Sequence, residues 1–192
     1  MSKPKIFRLI QSYQQWIQDY IDQGWRPYQV SFMFHQLPGS QLSVLAQMKQ
    51  EICRVYSRLI TRFDRNPRSP ASFSRLPRLI LFPDFPVYKR GKTSIRGISI
   101  NNGLHYQGIA LTPPVSRFRS TLDEHFRQDQ HKYINDKLAR IAVQPITWDP
   151  DYVTDYVAKS IKQGLASDED IIILPKTIIE LPSNVGRFSL SR

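Results

Sequence analysis

Apolar positions recur along the chain with two periods, and the switches between those periods divide it into elements. Between residues 5 and 23, Ile6, Leu9, Ile10, Tyr13, Trp16, Ile17, Tyr20 and Ile21 share one face of a helix, and Gly24 ends it. The opposite face carries Gln11, Gln14, Gln15, Gln18 and Asp22, as expected of a helix packed on one side. Tyr28–Gln36 (YQVSFMFHQ) is rich in β-branched and aromatic residues and predicts a buried strand. Pro38 and Gly39 then turn the chain, and Ser40 is placed to cap a long helix that runs to about Phe63. Leu45, Met48, Ile52, Val55, Leu59 and Phe63 form its core stripe, and Cys53, inside the apolar pattern, is expected as a small core residue. Arg54, Arg58 and Arg62 repeat every four residues on another face, expected to be solvated.

The second half alternates more quickly. Asp64–Pro77 is rich in Pro, Ser and Arg and reads as a loop. Arg78–Asp84 (RLILFPD) is the second predicted strand, Val87–Asn102 a basic connection with an Asn-Asn turn, and Gly103–Thr112 (GLHYQGIALT) the third strand. Residues 116–137 are polar and mixed, with His125 and His131 expected at the surface. Leu138–Thr147 predicts a fourth strand whose Pro145 marks an edge or an end. Asp149 as cap, Pro150 in the first turn and Gly164 as stop bracket one further helix. Asp170–Leu174 and a piece around Thr177–Leu181 are strand-like, within a C-terminal tail of about 170–192. This order predicts an α+β fold, an antiparallel sheet covered by helices, in one domain spanning residues 1–192.

Charge adds a partner class. Twenty-seven Lys and Arg against 16 Asp and Glu give a formal net charge of +11, a field that attracts polyanions, nucleic acid foremost. A single cysteine excludes an intramolecular disulfide and a thiolate zinc cluster. The N-terminus turns polar too early for a signal peptide, and no apolar run reaches membrane-spanning length, so a cytoplasmic protein without membrane contact is expected.

Two short segments carry candidate chemistry. In G-L-H-Y-Q-G (103–108), strand alternation sets His105 and Gln107 on one face and Tyr106 on the other, where burial under a helix is expected. An imidazole nitrogen and an amide oxygen side by side suit a hard divalent ion, Mg²⁺ or Mn²⁺, with its shell completed by water and phosphate. An ordinary pair of polar strand residues fits the same three letters. In D-P-D-Y-V-T-D-Y-V-A-K (149–159), Tyr152, Tyr156 and Lys159 fall at i, i+4 and i+7 on one helical face. An ammonium one turn from a phenol favours the phenolate, the nucleophilic form. Alone, this segment fits equally a packed tyrosine with a lysine at its rim.

Together, an H-x-Q-G strand followed 51 residues later (156 − 105) by Y-x-x-K on a helix resembles the HUH endonucleases. These are replication initiators, relaxases and transposases that nick single-stranded DNA. The H-Y-Q-G is similar to the variant of circular single-stranded DNA virus initiators, in which glutamine replaces the second histidine. The resemblance spans roughly residues 28–164 and implies a Rep-like, ferredoxin/RRM-like sandwich. It implies a site-specific endonuclease and strand transferase acting through a 5′-phosphotyrosine, as in rolling-circle replication, mobilisation or transposition. Tyr156 would be the nucleophile, Lys159 its cationic assistant, and His105 and Gln107 ligands of Mg²⁺ or Mn²⁺. The family often adds a carboxylate from the preceding strand, for which Asp84 is the best candidate and His35 an alternative. Tyr152 would be a second nucleophile, a stacking group or packing, the last slightly favoured. Strand separation would fall to a helicase or other replication proteins.

Lys89, Arg90, Lys92 and Arg96 in the basic connection are the expected phosphate contacts of single-stranded DNA, with Tyr88 as a stacking surface. The loop arginines Arg65, Arg68, Arg75 and Arg78 are either a second contact or a solvated linker. Two other classes stay open. One is a catalytically silent single-stranded DNA-binding module on the same fold. The other is an unrelated basic α+β protein binding RNA or protein, in which His105, Gln107 and Tyr156 lie far apart.

Overall fold

The computed structural model describes residues 3–85 and 100–176. Lys89, Arg90, Lys92 and Arg96, with Tyr88, lie outside the described residues, as does the strand-like piece around Thr177–Leu181. The elements in chain order are α1 (Lys3–Asp22), β1 (Arg26–Phe34), α2 (Gln41–Phe63), β2 (Arg78–Asp84), β3 (His105–Thr112), α3 (Leu122–Asp129), β4 (Leu138–Pro145), α4 (Pro150–Val157), α5 (Lys159–Lys162) and β5 (Ile172–Leu174). Short 3₁₀ turns fill several of the connections, among them Pro70–Arg75, inside the segment read from sequence as loop.

The five strands form one sheet in the order β4-β1-β3-β2-β5, every pair antiparallel. The fold is α+β, an antiparallel sheet packed against helices. Strands β1 to β4 with α2 and α3 make a β-α-β-β-α-β unit in spatial order 4-1-3-2, the general ferredoxin-like arrangement, with β5 added beside β2. Pro145 ends β4, which is an edge strand where a missing N–H costs no ladder bond.

Both faces of the sheet are covered. One buries Tyr28, Val30, Phe32, Leu79, Leu81, Tyr106 and Ala110 against the stripe of α2 and against Leu122 and Phe126 of α3. The other buries Ile80, Phe82, Ile109 and Leu111 against Ile6, Ile10 and Ile17 of α1 and against Val153, Val157 and Ile161 of α4 and α5. Period-two alternation thus sends successive residues of β2 and β3 into different cores. This explains why RLILFPD reads as a nearly unbroken apolar run: every residue in it is buried. Among the described residues no helix is long and apolar enough to cross a membrane.

Gly108 permits the close approach of β3 to β2. A Cβ there would lie 1.9 Å from the Ile80 carbonyl oxygen and 2.7 Å from the Leu81 Cα, both backbone atoms. No side-chain adjustment relieves such a clash, so only glycine fits.

Several expectations are corrected. Cys53 is exposed, because it follows Ile52 by one position and so turns off the buried stripe of α2. Of the arginine stripe on α2, Arg58 and Arg62 are exposed as expected, whereas Arg54 is half-buried, pairing with Glu51 and donating to the Tyr133 carbonyl. Arg78 is buried, its guanidinium 4.1 Å from the Phe73 ring centroid and donating to the Tyr20 hydroxyl, so it is unavailable to a phosphate. Arg75 pairs with Asp64 at 2.8 Å, whereas Arg65 and Arg68 are exposed. The helix expected from Asp149 to Gly164 has the expected ends but breaks at Ala158, whose ψ of 7° leaves the helical range.

His125 is buried rather than at the surface, sharing a 2.8 Å hydrogen bond with the Tyr133 hydroxyl inside a cage of Phe118, Phe126 and Tyr133. Burial lowers its pKa, outweighing the opposing pull of Asp129. A histidine kept neutral by folding binds more protons when unfolded, so its contribution is complete above the unfolded pKa of about 6.5 and declines as pH falls through that value. Melting temperature should therefore fall between neutral pH and pH of about 5. In His125→Asn the same titration should be measurably flatter.

Gly108→Ala should fail to fold or lose more than about 3 kcal/mol in urea denaturation.

Candidate functional site

The site lies where β2 ends and β3 begins. The β2–β3 register sets Asp84 opposite His105 and Phe82 opposite Gln107. Asp84 shares parity with Ile80 and Phe82, and Gln107 with Ile109, so these polar side chains face the layer formed by α1, α4 and α5. On that side α4 starts from Asp149, whose carboxylate accepts from the N–H groups of Asp151 and Tyr152. Thr154 donates its hydroxyl back to the Pro150 carbonyl, and the helix then presents Tyr156 before the break at Ala158.

Asp84 is the centre. Its side chain is 5% exposed, and a carboxylate so placed must be compensated. Three donors do this, with an imidazole standing beside them. Lys159 Nζ lies 2.9 Å from Oδ2, Gln107 Nε2 donates to the same oxygen at 2.9 Å, and His105 Nε2 is 3.4 Å from it. Ser160 Oγ donates to Oδ1 at 3.2 Å and accepts from the Phe85 N–H at 3.0 Å. Lys159 also lies against the phenol, its ammonium 4.9 Å from the Tyr156 ring centroid. Tyr156 and His105 are thus joined through Lys159 and Asp84, although 51 positions separate them in sequence (156 − 105).

The imidazole is oriented by a second bond. Its Nδ1 lies 3.1 Å from the Gly103 carbonyl, which can only accept, so the ring proton belongs on Nδ1 and the Nε2 lone pair faces Asp84. An imidazole lone pair turned toward a carboxylate is an arrangement that a cation can bridge. Backbone-oriented histidine with a neighbouring carboxylate is also how metal ligands are commonly held. The donor set of one carboxylate, one imidazole and one amide fits a hard divalent ion in kind, provided Gln107 turns its amide oxygen inward and Lys159 yields the carboxylate. Among the described residues, no three His, Cys, Asp or Glu side chains come together.

The sequence candidates thus divide. Asp84, His105, Gln107, Lys159 and Tyr156 belong to one connected group. His35 stays outside it, exposed beyond the end of β1. Tyr106 is buried in the opposite core, its hydroxyl donating to the Asp170 carbonyl, as expected. Tyr152 is not packing: it is 57% exposed and lies against Trp148. Ser160 was not singled out by sequence. The signal was present, because Ser160 falls in the buried stripe Val157, Ala158, Ile161, where a hydroxyl requires a partner.

Compared with known protein families, with curated proteins and with solved structures, the chain matches none.

Removing the carboxylate should expose how much the group depends on it. Asp84→Ala leaves Lys159, Gln107 and Ser160 without their shared acceptor and should cost about 1–3 kcal/mol by urea denaturation. Asp84→Asn, which keeps an acceptor oxygen, should cost less.

Proposed function

We propose that the chain binds single-stranded DNA at the end of the sheet that carries Asp84 and His105, and that the same residues equip it as a tyrosine DNA nickase and strand transferase. The observation that carries this reading is the convergence of Lys159, His105 and Gln107 on the Asp84 carboxylate, with the Tyr156 ring against Lys159. The H-x-Q-G and Y-x-x-K segments that resemble HUH endonucleases are the ones that meet there, and the Rep-like form of the α+β fold is proposed on the same ground. The net charge of +11 suits a polyanionic partner.

In this reading Tyr156 Oη attacks the scissile phosphorus, forming an O–P bond as the bond to the 3′ oxygen breaks. The phenolic proton passes to water, and the departing 3′ oxygen takes one from water to become the 3′-hydroxyl. Lys159, against the Tyr156 ring, would stabilise the negative charge that builds on the phosphate. Asp84, His105 and Gln107 would hold Mg²⁺ or Mn²⁺, which would supply charge neutralisation at that phosphate. The phosphotyrosine ester conserves the bond, so a DNA 3′-hydroxyl can reverse the step.

A second reading is the catalytically silent DNA-binding module. It is favoured by the lack of a third ionisable ligand among the described residues, and by an Asp84 whose oxygens are already satisfied by the protein.

Incubation with a pool of single-stranded DNA and Mn²⁺, followed by a denaturing gel, separates the two. The nickase should give a covalent adduct that disappears on chelation and in Tyr156→Phe, while that variant still binds DNA. Salt-sensitive binding with no adduct would leave the silent module standing.

A further inference from the structure

A line of exposed rings runs from the residue before the cap of α4 along the outside of the helix. Trp148, Tyr152 and Tyr156 are 59%, 57% and 46% exposed and fall at successive i, i+4 positions. Trp148 and Tyr152 already lean on each other, with centroids 5.1 Å apart and planes at 44°. Four residues advance a helix by about 6 Å, so Tyr152 and Tyr156 stand one turn apart, and Trp148 extends their line into a ladder from just before the cap. Its last rung is Tyr156, whose ring carries the Lys159 ammonium that reaches Asp84. Large apolar rings in water are costly unless something covers them.

Charges around the ladder select what does so. Asp149 spends its carboxylate on the helix N-terminus, and Asp155 pairs with Lys162 at 2.6 Å. With Asp151 also exposed on this helix, its N-terminal half repels phosphates lying on it but accepts uncharged base faces. The chain as a whole is strongly cationic, which draws in the polymer those bases belong to.

We infer that Trp148 and Tyr152 are a base-stacking track which grips the unpaired nucleotides of a single DNA strand next to the one presented to Tyr156. The inference rests on the proposed function and extends it by naming the contact that seats the strand. Stacking on an aromatic ring tolerates any base, so the track supplies grip without sequence choice. It also gives Tyr152 a role as a stacking ring rather than a second nucleophile.

Among the three tryptophans, Trp25 is buried and Trp16 is partly buried, so Trp148 is the fluorophore a bound base would reach. The experiment titrates the full chain with a short oligothymidylate and with an abasic strand of equal length. It follows tryptophan emission and measures affinity over a range of salt. The oligothymidylate should quench emission and the abasic strand should not, and the quench should vanish in Trp148→Phe. Trp148→Ala and Tyr152→Ala should each weaken oligothymidylate binding by about 5- to 100-fold. They should leave abasic binding and the salt slope unchanged, because phosphate contacts set that slope. Trp148→Phe and Tyr152→Phe, which keep a ring, should restore most of the affinity.

Equal losses for both strands, or oligothymidylate binding without a quench, would overturn the track while leaving the proposed function intact. No binding of either strand by the unsubstituted chain would defeat the proposed function itself. Concentration-dependent self-association abolished by Trp148→Ala, with no DNA-dependent quench, would make the ladder a protein contact and also overturn the track.

Discussion

The carboxylate of Asp84 is the constraint around which this end of the molecule is organised. A charge removed from water is tolerable only if opposite charge and hydrogen bonds replace the water. Asp84 receives them from β3, through Gln107, and from α5, through Lys159 and Ser160, with the His105 imidazole alongside. Satisfying one side chain therefore fixes the end of β2, the start of β3 and the short helix α5 against one another. The position of Lys159 against the Tyr156 ring follows from this, since the lysine is aimed by the acid it neutralises.

The close approach of β3 to β2 at Gly108 serves the same end. The register that sets Leu81 beside Gly108 also sets Asp84 opposite His105. A side chain at Gly108 would push the two strands apart three residues from the imidazole. The glycine of H-Y-Q-G is thus an architectural residue, and His105 and Gln107 beside it are the ones that meet Asp84. Two cores flank this strand pair, so displacement of β3 would disturb the α2 layer and the α4 layer together.

Much of this was legible because it is locally encoded. Arg78–Asp84 appears as a strand with the bounds read from sequence, and Ser40 and Asp149 cap helices where expected. A cap is a bond between near neighbours, and a strand of buried apolar residues announces itself by composition. The pairing of His105 with Gln107 followed from strand alternation, and Asp84, at the end of the preceding strand, was the one acidic residue between Asp64 and Asp123. What sequence did not give depends on layers. His125 sits in a polar segment, and only the tertiary cage of Phe118, Phe126 and Tyr133 buries it. Ser160 gains its meaning from an acid 76 positions away (160 − 84). Cys53 was misread because an apolar pattern says which positions are buried only once the direction of the stripe is known. The break at Ala158 left no local mark, as no proline or glycine signals it.

Helices on both sides of the sheet have one further consequence. A bare antiparallel sheet offers a polymer a flat floor, on which several consecutive units can lie side by side. Here that floor is roofed on each side, by α2 and α3 above one face and by α1, α4 and α5 above the other. Among the described residues, what stays open is the perimeter: strand ends, edge strands and the outer surfaces of helices. A perimeter is a line, and a line engages a flexible thread better than a stiff duplex, because a thread can bend to follow it.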